Sequence, residues 1–362
     1  MRLGVEAALV DGVLLPGDVD IADGRIAGVG LAGPGRGVAV PGFVDLQVNG
    51  FGGVDFAAAE AADYRRAGQA LLETGVTAFQ PTLITAAEDE LTAALAEVPS
   101  EPIGPRRLGV HLEGPFLAAG YLGAHPAAGR RDPDEELLDR LLAAGPIRYV
   151  TLAPELPGAL ELIDALHARE IIVSIGHTGA TVQEAERAFA RGVGTVTHLF
   201  NAMRPFHHRD PGVAGAALAR ADVIVQIILD GHHLAPETAL LAWRAAGGRL
   251  ALVTDAIAAA GIGDGRSRLS RVDVDVRDGV ARGPAGELAG SVLTMLQAVR
   301  NLHELGVPFV DAVAAATSVP ARAARVPHVG VLRENGPADV VVLDDRLEIR
   351  TVLVSGGEPV AA

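Results

Sequence analysis

Short apolar runs rich in β-branched residues alternate with amphipathic segments through the middle of the chain. Eight runs have the length and composition of buried strands; they cover 43–48, 77–80, 108–112, 148–152, 171–175, 194–197, 223–229 and 250–254. Helical patterns lie between them, at 57–73, 86–97, 133–143, 157–168, 181–191 and 236–246. Eight βα units predict an α/β fold of the TIM (β/α)8 barrel type.

Both ends of the chain have a different pattern, in which apolar and polar positions alternate. Residues 1–40 contain the hairpin turn signals Asp11-Gly12 and Asp23-Gly24. Near the other end, 338–343 and 350–354 resemble strands, with turns at Asp344-Asp345 and Gly356-Gly357. We therefore expect a small β-sandwich-like domain built from both termini, residues 1–40 and 332–362, around a barrel of residues 41–331. After the eighth strand, an alternating run before Asp278-Gly279 predicts a hairpin inside an insertion at 261–290.

Two histidines follow successive predicted strands. His177 comes after the run that ends at Ile175, and His198 ends the next run. Thr181 and Glu184 have the spacing of a helix capping box, which places a helix between the two strands. A single histidine here would more often be hydrogen-bonded near a loop. Two at equivalent positions on the ligand-binding edge of a parallel sheet favour a shared metal ion.

Polar side chains follow most of the other predicted strands as well. They would converge on one mouth of the barrel, whereas a purely structural role would scatter them; they are Gln47, Asn49, Gln80, Glu113, His177, His198, Asp230, His233 and Asp255.

Composition narrows the chemistry of this mouth. The chain of 362 residues has no cysteine, so any metal ligands must be His, Asp or Glu. All 30 basic residues are arginine, which excludes Schiff-base chemistry and a carbamylated lysine between two metals. The net charge of −15 disfavours nucleic acid and anionic membranes as partners. No apolar segment has transmembrane length, and Met1-Arg2 does not open a signal peptide, so we expect a cytoplasmic enzyme.

Glu113, His177 and His198 together offer one oxygen and two nitrogen ligands. A catalytic zinc site has three protein ligands and one position for water, whose pKa falls to about 7 on the metal. Asp255, a lone acid after an apolar strand, is placed to move protons for that water. The alternative for Asp255 is a helix N-cap, but residues 256–263 do not begin an obvious helix.

Several motifs in the same order along the chain resemble the N-acetylglucosamine-6-phosphate deacetylases of the amidohydrolase superfamily. They cover nearly the whole chain and are together highly specific: Pro41-Gly-Phe-Val-Asp45, His111-Leu-Glu-Gly-Pro-Phe116, Gly176-His-Thr-Gly179, Thr197-His-Leu-Phe-Asn-Ala-Met203, Val253-Thr-Asp-Ala256 and Leu293-Thr-Met295. The resemblance implies that Glu113, His177 and His198 hold the metal and that Asp255 is the general acid and base. It also implies substrate contacts by Ala124, His125, Asn201, Ala202, Arg209, His233, Leu288, Ala289 and Gly290.

One departure from the superfamily concerns the first strand, where many members have a His-x-His pair for a second metal. Here the sequence is Gln47-Val-Asn49, and amides are poor zinc ligands beside imidazole. We therefore expect one divalent ion per subunit, with zinc favoured and Fe²⁺ or another divalent ion as alternatives.

A basic cluster follows the sixth strand in this acidic chain, formed by Arg204, His207, His208 and Arg209. Arg209 could hold a phosphate in a bidentate fork, with His233 as a further donor. For His207 and His208 a solvated loop is an equally good interpretation. In the resembling family the equivalent arginine comes from a second subunit, which implies a homodimer in which Arg209 completes the partner's site.

The predicted activity is therefore hydrolysis of the acetamide of N-acetyl-D-glucosamine 6-phosphate, in amino-sugar catabolism or cell-wall recycling. The first alternative is a deacetylase of N-acetylgalactosamine 6-phosphate or another N-acyl sugar phosphate, because epimers differ by one hydroxyl. The second is a catalytically inactive barrel that serves as a scaffold. The presence of all three ligands and the acid disfavours it.

Overall fold

The computed structural model describes residues 1–355. Five strands precede the barrel: β1 (Ala7–Val10), β2 (Val13–Pro16), β3 (Asp18–Ala22), β4 (Arg25–Leu31) and β5 (Val38–Pro41). The next eleven are β6 (Phe43–Val48), β7 (Gly50–Phe51), β8 (Val54–Asp55), β9 (Val76–Ile84), β10 (Arg106–Arg107), β11 (Val110–Glu113), β12 (Ile147–Leu152), β13 (Ile172–Ile175), β14 (Thr195–Val196), β15 (Ile224–Ile227) and β16 (Leu250–Leu252). The last five are β17 (Gly265–Leu269), β18 (Val272–Arg277), β19 (Val280–Arg282), β20 (Val340–Leu343) and β21 (Ile349–Leu353).

The barrel is a ring of parallel strands. Strand β6 pairs with β9, and β10 and β11 together form the third strand beside β9. From there β11 to β16 pair in chain order. A parallel bridge between Val48 and Ala256 brings the first and last strands together. The prediction of a (β/α)8 barrel is therefore confirmed, and all strand ends face the same mouth.

Within residues 1–355, ten helices follow the strands or close the barrel: α1 (Ala61–Glu73), α2 (Glu88–Ala96), α3 (Glu135–Ala144), α4 (Ala159–Ala168), α5 (Val182–Ala190), α6 (Gly212–Ala219), α7 (Pro236–Ala246), α8 (Met295–Glu304), α9 (Phe309–Ala315) and α10 (Ser318–Ala323). The capping box predicted for α5 is present, with Thr181 and Glu184 bonded reciprocally. Among the described residues, no helix is both long and apolar enough to cross a membrane.

Both ends of the chain contribute to a β-rich domain, as the sequence predicts. Strands β2, β1, β5, β20 and β21 form one five-stranded sheet, in which β1 and β5 run parallel. Successive residues of β20 alternate between two cores: Val341 and Leu343 pack with the barrel, while Val340 and Val342 pack against the β3–β4 hairpin. The predicted turn at Gly356-Gly357 lies outside the described residues.

The insertion after the eighth strand is a three-stranded antiparallel sheet, β17 to β19, whose predicted turn at Asp278-Gly279 is present. Its apolar face packs over the barrel mouth through Leu269, Val274 and Val276. The carboxylate of Asp55 accepts a 2.7 Å hydrogen bond from the backbone N–H of Ser270, which ties the insertion to the barrel.

Two details of the prediction are wrong. Strand β9 continues through Pro81 to Ile84, so Gln80 lies inside the strand and not at its end. Helix α6, between β14 and β15, has no counterpart in the prediction. Its sequence Gly-Val-Ala-Gly-Ala-Ala-Leu-Ala has no polar face, so it lacks the periodicity by which surface helices are recognised.

Candidate active site

The strand ends deliver four ionisable side chains to the barrel mouth. Glu113 is the last residue of β11, and His177, His198 and Asp255 follow β13, β14 and β16 within three residues. The side chains of Glu113, His177 and His198 are each at most 6% exposed. The sequence placed all four at one site, and the structure brings them together.

Three of these residues have left-handed backbone conformations, with φ of +49° at His177, +28° at His198 and +51° at Asp255. Residues other than glycine adopt this region rarely, and at functional sites the surrounding structure must hold them there. At each of these strand ends, the surrounding structure therefore holds the backbone in an unfavourable conformation that directs a functional side chain into the site.

Glu113, His177 and His198 place three ligand atoms at the corners of a small triangle. Oε1 of Glu113 lies 3.1 Å from Nε2 of His177 and 2.8 Å from Nε2 of His198. The two imidazole nitrogens are 3.1 Å apart. A tetrahedral ion with bonds of about 2.0–2.2 Å holds its ligand atoms roughly 3.3–3.6 Å apart, so the triangle is close to the size that one zinc ion requires.

The hydrogen bonds of His177 set the tautomer that a metal ligand needs. Its Nδ1 lies 2.8 Å from the backbone carbonyl of Tyr121, which can only accept, so Nδ1 carries the proton. The lone pair is therefore on Nε2, which faces Glu113 and His198. A carbonyl partner of this kind is the usual support of a metal-binding histidine.

His125 is a further neighbour of Glu113, and ligand atoms of Glu113, His125 and His177 lie within 4.8 Å of one another. The backbone N–H of Thr85 points to Nδ1 of His125 at 3.4 Å, so this nitrogen accepts and Nε2 carries the proton. That proton points to Oε2 of Glu113 at 3.5 Å. His125 therefore fits the role of a donor to Glu113 better than the role of a ligand.

The ionisation of Glu113 and His177 suits a cation, whereas the hydrogen bond and the charge of Glu113 outweigh burial and raise the pKa of His198 above its ordinary 6.5. Burial raises the pKa of Glu113, but hydrogen bonds from His125, His177 and His198 outweigh burial and hold the pKa well below its ordinary 4.5. Burial lowers the pKa of His177 to about 4, so its imidazole is neutral near pH 7. An ionised carboxylate beside a neutral imidazole is the form in which both residues bind metals.

Asp255 lies beside the triangle and is held by two amides. Its Oδ1 accepts a hydrogen bond of 2.7 Å from Nδ2 of Asn49 and one of 3.1 Å from Nε2 of Gln47. It caps none of the helices described above. Burial and the negative charge of Glu113 raise the pKa of Asp255 to about 6, which is a suitable range for a group that both accepts and donates protons near neutral pH.

A cavity of about 250 Å³ opens over these groups. It is lined by most of the predicted residues: Glu113, Ala124, His125, His177, His198, Asn201, Ala202, His233, Asp255, Leu288 and Gly290. Ala289 instead packs in the core of the insertion, and Arg209 does not line the cavity of its own chain.

Other lining residues were not predicted from the sequence. Apolar Ile84, Ile228 and Leu269 line the cavity, as do Gly123 and the acidic Glu287. The apolar three resemble core residues in the sequence, so periodicity could not distinguish them. Glu287 directly precedes Leu288, and this neighbourhood is the only feature of the sequence that indicates that Glu287 lines the cavity.

In the basic loop after β14, residues 204–209, one arginine has a structural partner and the other is exposed. Arg204 forms an ion pair with Asp210, so its guanidinium closes the loop and is not available for a phosphate. Arg209 is exposed; its Nη1 lies 2.9 Å from Nε2 of His208. No carboxylate among residues 1–355 forms an ion pair with Arg209.

His233 is oriented by Asp230, which also lies after β15. The Asp230 carboxylate is 2.7 Å from Nδ1 of His233 and accepts the backbone N–H groups of His232 and His233. Hydrogen bonds and the charge of His233 outweigh burial and lower the pKa of Asp230 to about 2, so it is ionised and fixes the proton on Nδ1. Nε2 is the nitrogen that remains for a ligand.

A (β/α)8 barrel with His, Glu and Asp at its strand ends is the architecture of a class of metal-dependent hydrolases. The model of the amidohydrolase family matches residues 38–358, and the chain belongs to this family.

Among the amidohydrolases, the chain belongs with the N-acetylglucosamine-6-phosphate deacetylases. It is 41% identical over 340 residues to the human N-acetylglucosamine-6-phosphate deacetylase. This match covers 88% of this chain and 82% of the human protein. A solved structure of a mutant N-acetyl-D-glucosamine-6-phosphate deacetylase from Mycobacterium smegmatis, in complex with N-acetyl-D-glucosamine 6-phosphate, matches with a TM-score of 0.95 and 37% identity. This match covers 100% of this chain and 99% of the other. An N-acetylgalactosamine-6-phosphate deacetylase from Escherichia coli O157:H7 is 36% identical over 349 residues, 93% of each chain.

Proposed function

We propose that this amidohydrolase cleaves the acetamide of N-acetyl-D-glucosamine 6-phosphate and releases D-glucosamine 6-phosphate and acetate. The observation that supports it most is the triangle of Glu113, His177 and His198 beside Asp255, in a chain that matches deacetylases along its whole length. The reaction belongs to amino-sugar catabolism or cell-wall recycling, and we place it in the cytoplasm.

Glu113, His177 and His198 would hold one divalent ion in each subunit. We favour Zn²⁺ for one carboxylate and two imidazoles, and Fe²⁺ or another divalent ion suits the same ligands. Such an ion, when bound, activates water and polarises a carbonyl oxygen. Gln47 donates to Glu113 at 3.0 Å and so keeps the carboxylate oriented.

Asp255 is the general base and then the general acid. Its carboxylate accepts a proton from the attacking water and afterwards donates a proton to the departing amine. A pKa near 6 leaves most of it ionised at pH 7, yet allows it to hold a proton during the reaction. Asn49 and Gln47 hold Oδ1, which leaves Oδ2 free for these transfers.

The remaining lining residues bind the sugar phosphate. Ala124, His125, Asn201, Ala202, His233, Leu288 and Gly290 surround the substrate, and His233 offers Nε2 as a polar contact. Arg209 is exposed and lies outside its own cavity, which supports a homodimer in which Arg209 completes the phosphate site of the partner.

The test is release of acetate from a panel of N-acetylated sugars with and without a 6-phosphate. We expect turnover of N-acetylglucosamine 6-phosphate, and much slower turnover of N-acetylglucosamine. The similarity to an N-acetylgalactosamine-6-phosphate deacetylase makes the galactosamine epimer the second candidate substrate. Faster release of acetate from that epimer would replace the first assignment, and no release from either would refute the function.

A further inference from the structure

Glu155 lies just beyond strand β12 and binds the two residues that follow His177. The hydroxyl of Thr178 donates a hydrogen bond of 2.6 Å to Oε2 of Glu155. The backbone N–H of Gly179 donates one of 2.6 Å to Oε1. Both carboxylate oxygens are thus engaged by one short segment of the neighbouring strand-end loop.

The same segment is held on its other side by the loop after β14. The backbone N–H of Thr178 donates to the carbonyl of Ala202 at 3.1 Å, and the backbone N–H of Arg204 donates to the carbonyl of Thr178 at 2.9 Å. Thr178 is completely buried. The loop that follows His177 is therefore fixed between Glu155 and the loop that follows His198.

His177 needs this support because its backbone conformation is unfavourable. With φ at +49°, it retains its position only if the residues around it are held. Ala118 donates a hydrogen bond of 3.0 Å to its carbonyl, and Tyr121 accepts from its ring. Glu155 is the charged member of this set, and hydrogen bonds to a charged group are about twice as strong as neutral ones.

We propose that Glu155 is a positioning residue for the metal centre, which keeps Nε2 of His177 in the triangle with Glu113 and His198. The inference rests on the proposed function only in taking these three residues as the metal ligands. Partners that orient metal ligands typically contribute about 10–100-fold to metal affinity. Loss of the Glu155 carboxylate should therefore weaken metal binding by a factor in that range.

The test is the dissociation constant of Zn²⁺ from purified metal-free protein, measured by competition with a chromophoric chelator. Glu155→Gln keeps the size of the side chain but replaces one acceptor oxygen with an amide that cannot accept. We expect its dissociation constant to rise about 10–100-fold. Thr178→Val removes one of the two contacts with Glu155, together with the hydrogen bond that the hydroxyl accepts from the backbone N–H of Ala180, and should give a smaller rise. Glu161→Gln, at an exposed glutamate in helix α4, is the matched control and should equal the wild type.

A purely structural role would give a different result. Glu155→Gln would then lower the melting temperature of the metal-free protein while the dissociation constant stays within threefold of the wild type, and this outcome overturns the inference. If Glu155→Gln does not fold, Thr178→Val decides: a rise of threefold or more supports the inference, and no rise overturns it.

The chelator titration contains no sugar, so it separates the two proposals. A wild-type protein that binds Zn²⁺ but releases no acetate from any sugar refutes the proposed function alone. Unchanged Zn²⁺ affinity in the variants of an active enzyme refutes the role of Glu155 alone. A wild-type protein that binds no divalent ion refutes both.

Discussion

The side-chain amide of Asn49 donates a hydrogen bond of 2.7 Å to Oδ1 of Asp255. Gln47, two residues earlier on β6, donates from Nε2 to the same oxygen and to Oε1 of Glu113. Neutral N–H donors thus lie between the carboxylates of Asp255 and Glu113. A second cation bound there would need anionic or imidazole ligands in place of these amides. The amides orient the acids without adding metal ligands of their own.

We therefore predict one tightly bound divalent ion per chain. Elemental analysis of the purified protein should give a ratio near one, and His177→Ala should lose most of the metal. His328→Ala, at an exposed histidine remote in sequence from the site, should retain it. Two ions per chain, both required for activity, would contradict the prediction.

Asp255→Asn should retain folding and metal content but lose most of the turnover. The asparagine oxygen can still accept from Asn49, whereas the proton transfers disappear. General acid–base catalysis contributes about 10²–10⁴-fold, so we expect kcat to fall by at least that range. Asp273→Asn, at an exposed acid of the insertion, serves as the control. Activity above a tenth of the wild type would show that Asp255 has another role.

Arg209→Ala should raise KM strongly for the phosphorylated sugar and leave the unphosphorylated sugar almost unaffected, because only the former has a charge for the guanidinium. Steady-state kinetics with both sugars measure this. Arg65→Ala removes a different exposed arginine, on α1, and should change neither value. Equal effects on the two sugars would contradict a phosphate contact.

The shared site of the proposed homodimer has a separate test. Chains with Asp255→Asn and chains with Arg209→Ala should regain activity when mixed, since some mixed dimers contain one site with both groups intact. Subunit exchange must first be verified, for example with two affinity tags. If verified heterodimers show no recovery, Arg209 serves its own chain.

A fifth prediction concerns Asp45, a completely buried acid on β6. Burial raises its pKa from the ordinary 3.8 to about 7, although Thr254 and Gln47 donate hydrogen bonds to it. Between these two values the native state retains the proton while the unfolded chain releases it. The free energy of unfolding therefore falls as pH rises from about 4 to about 7 and then no longer changes through this group.

Asp45→Asn resembles the protonated acid and removes this dependence. The melting temperature of the variant relative to the wild type should therefore rise between pH 5 and pH 8. Thermal unfolding of both proteins across this range measures the difference, in which the other titrating groups cancel. A difference that stays constant with pH would mean that Asp45 has an ordinary pKa in the folded protein.

The arrangement of the barrel could be predicted because its strands are apolar and its helices amphipathic. Strand β6 and helix α7 have the predicted bounds, and the residues after each strand converge as expected. The apolar pattern predicts that the second strand ends at Gln80, yet β9 continues through Pro81 to Ile84, although proline is rare inside central strands. Helix α6 was missed because its small apolar residues have no polar face.

Within the site, the sequence identified the side chains but not what holds them. The carbonyl of Tyr121 fixes the tautomer of His177. Every residue has a backbone carbonyl, so the sequence does not indicate which one contacts the histidine. Glu155 contacts Thr178 across 23 positions of the chain, a pairing that only the fold creates. Ile84 and Ile228 line the cavity while they also pack in the core, and apolar patterning alone cannot distinguish such residues from the rest of the core.

The left-handed conformations of His177, His198 and Asp255 have a consequence for the durability of the protein. Glycine would adopt such a backbone with less strain, which is of order 1–3 kcal/mol at each position. The residues that equip the barrel mouth for chemistry are thus ones that weaken the fold that carries them. In the metal-free protein, heat resistance and turnover are in conflict at these three strand ends, so glycine there should raise the melting temperature of the metal-free chain and abolish its activity.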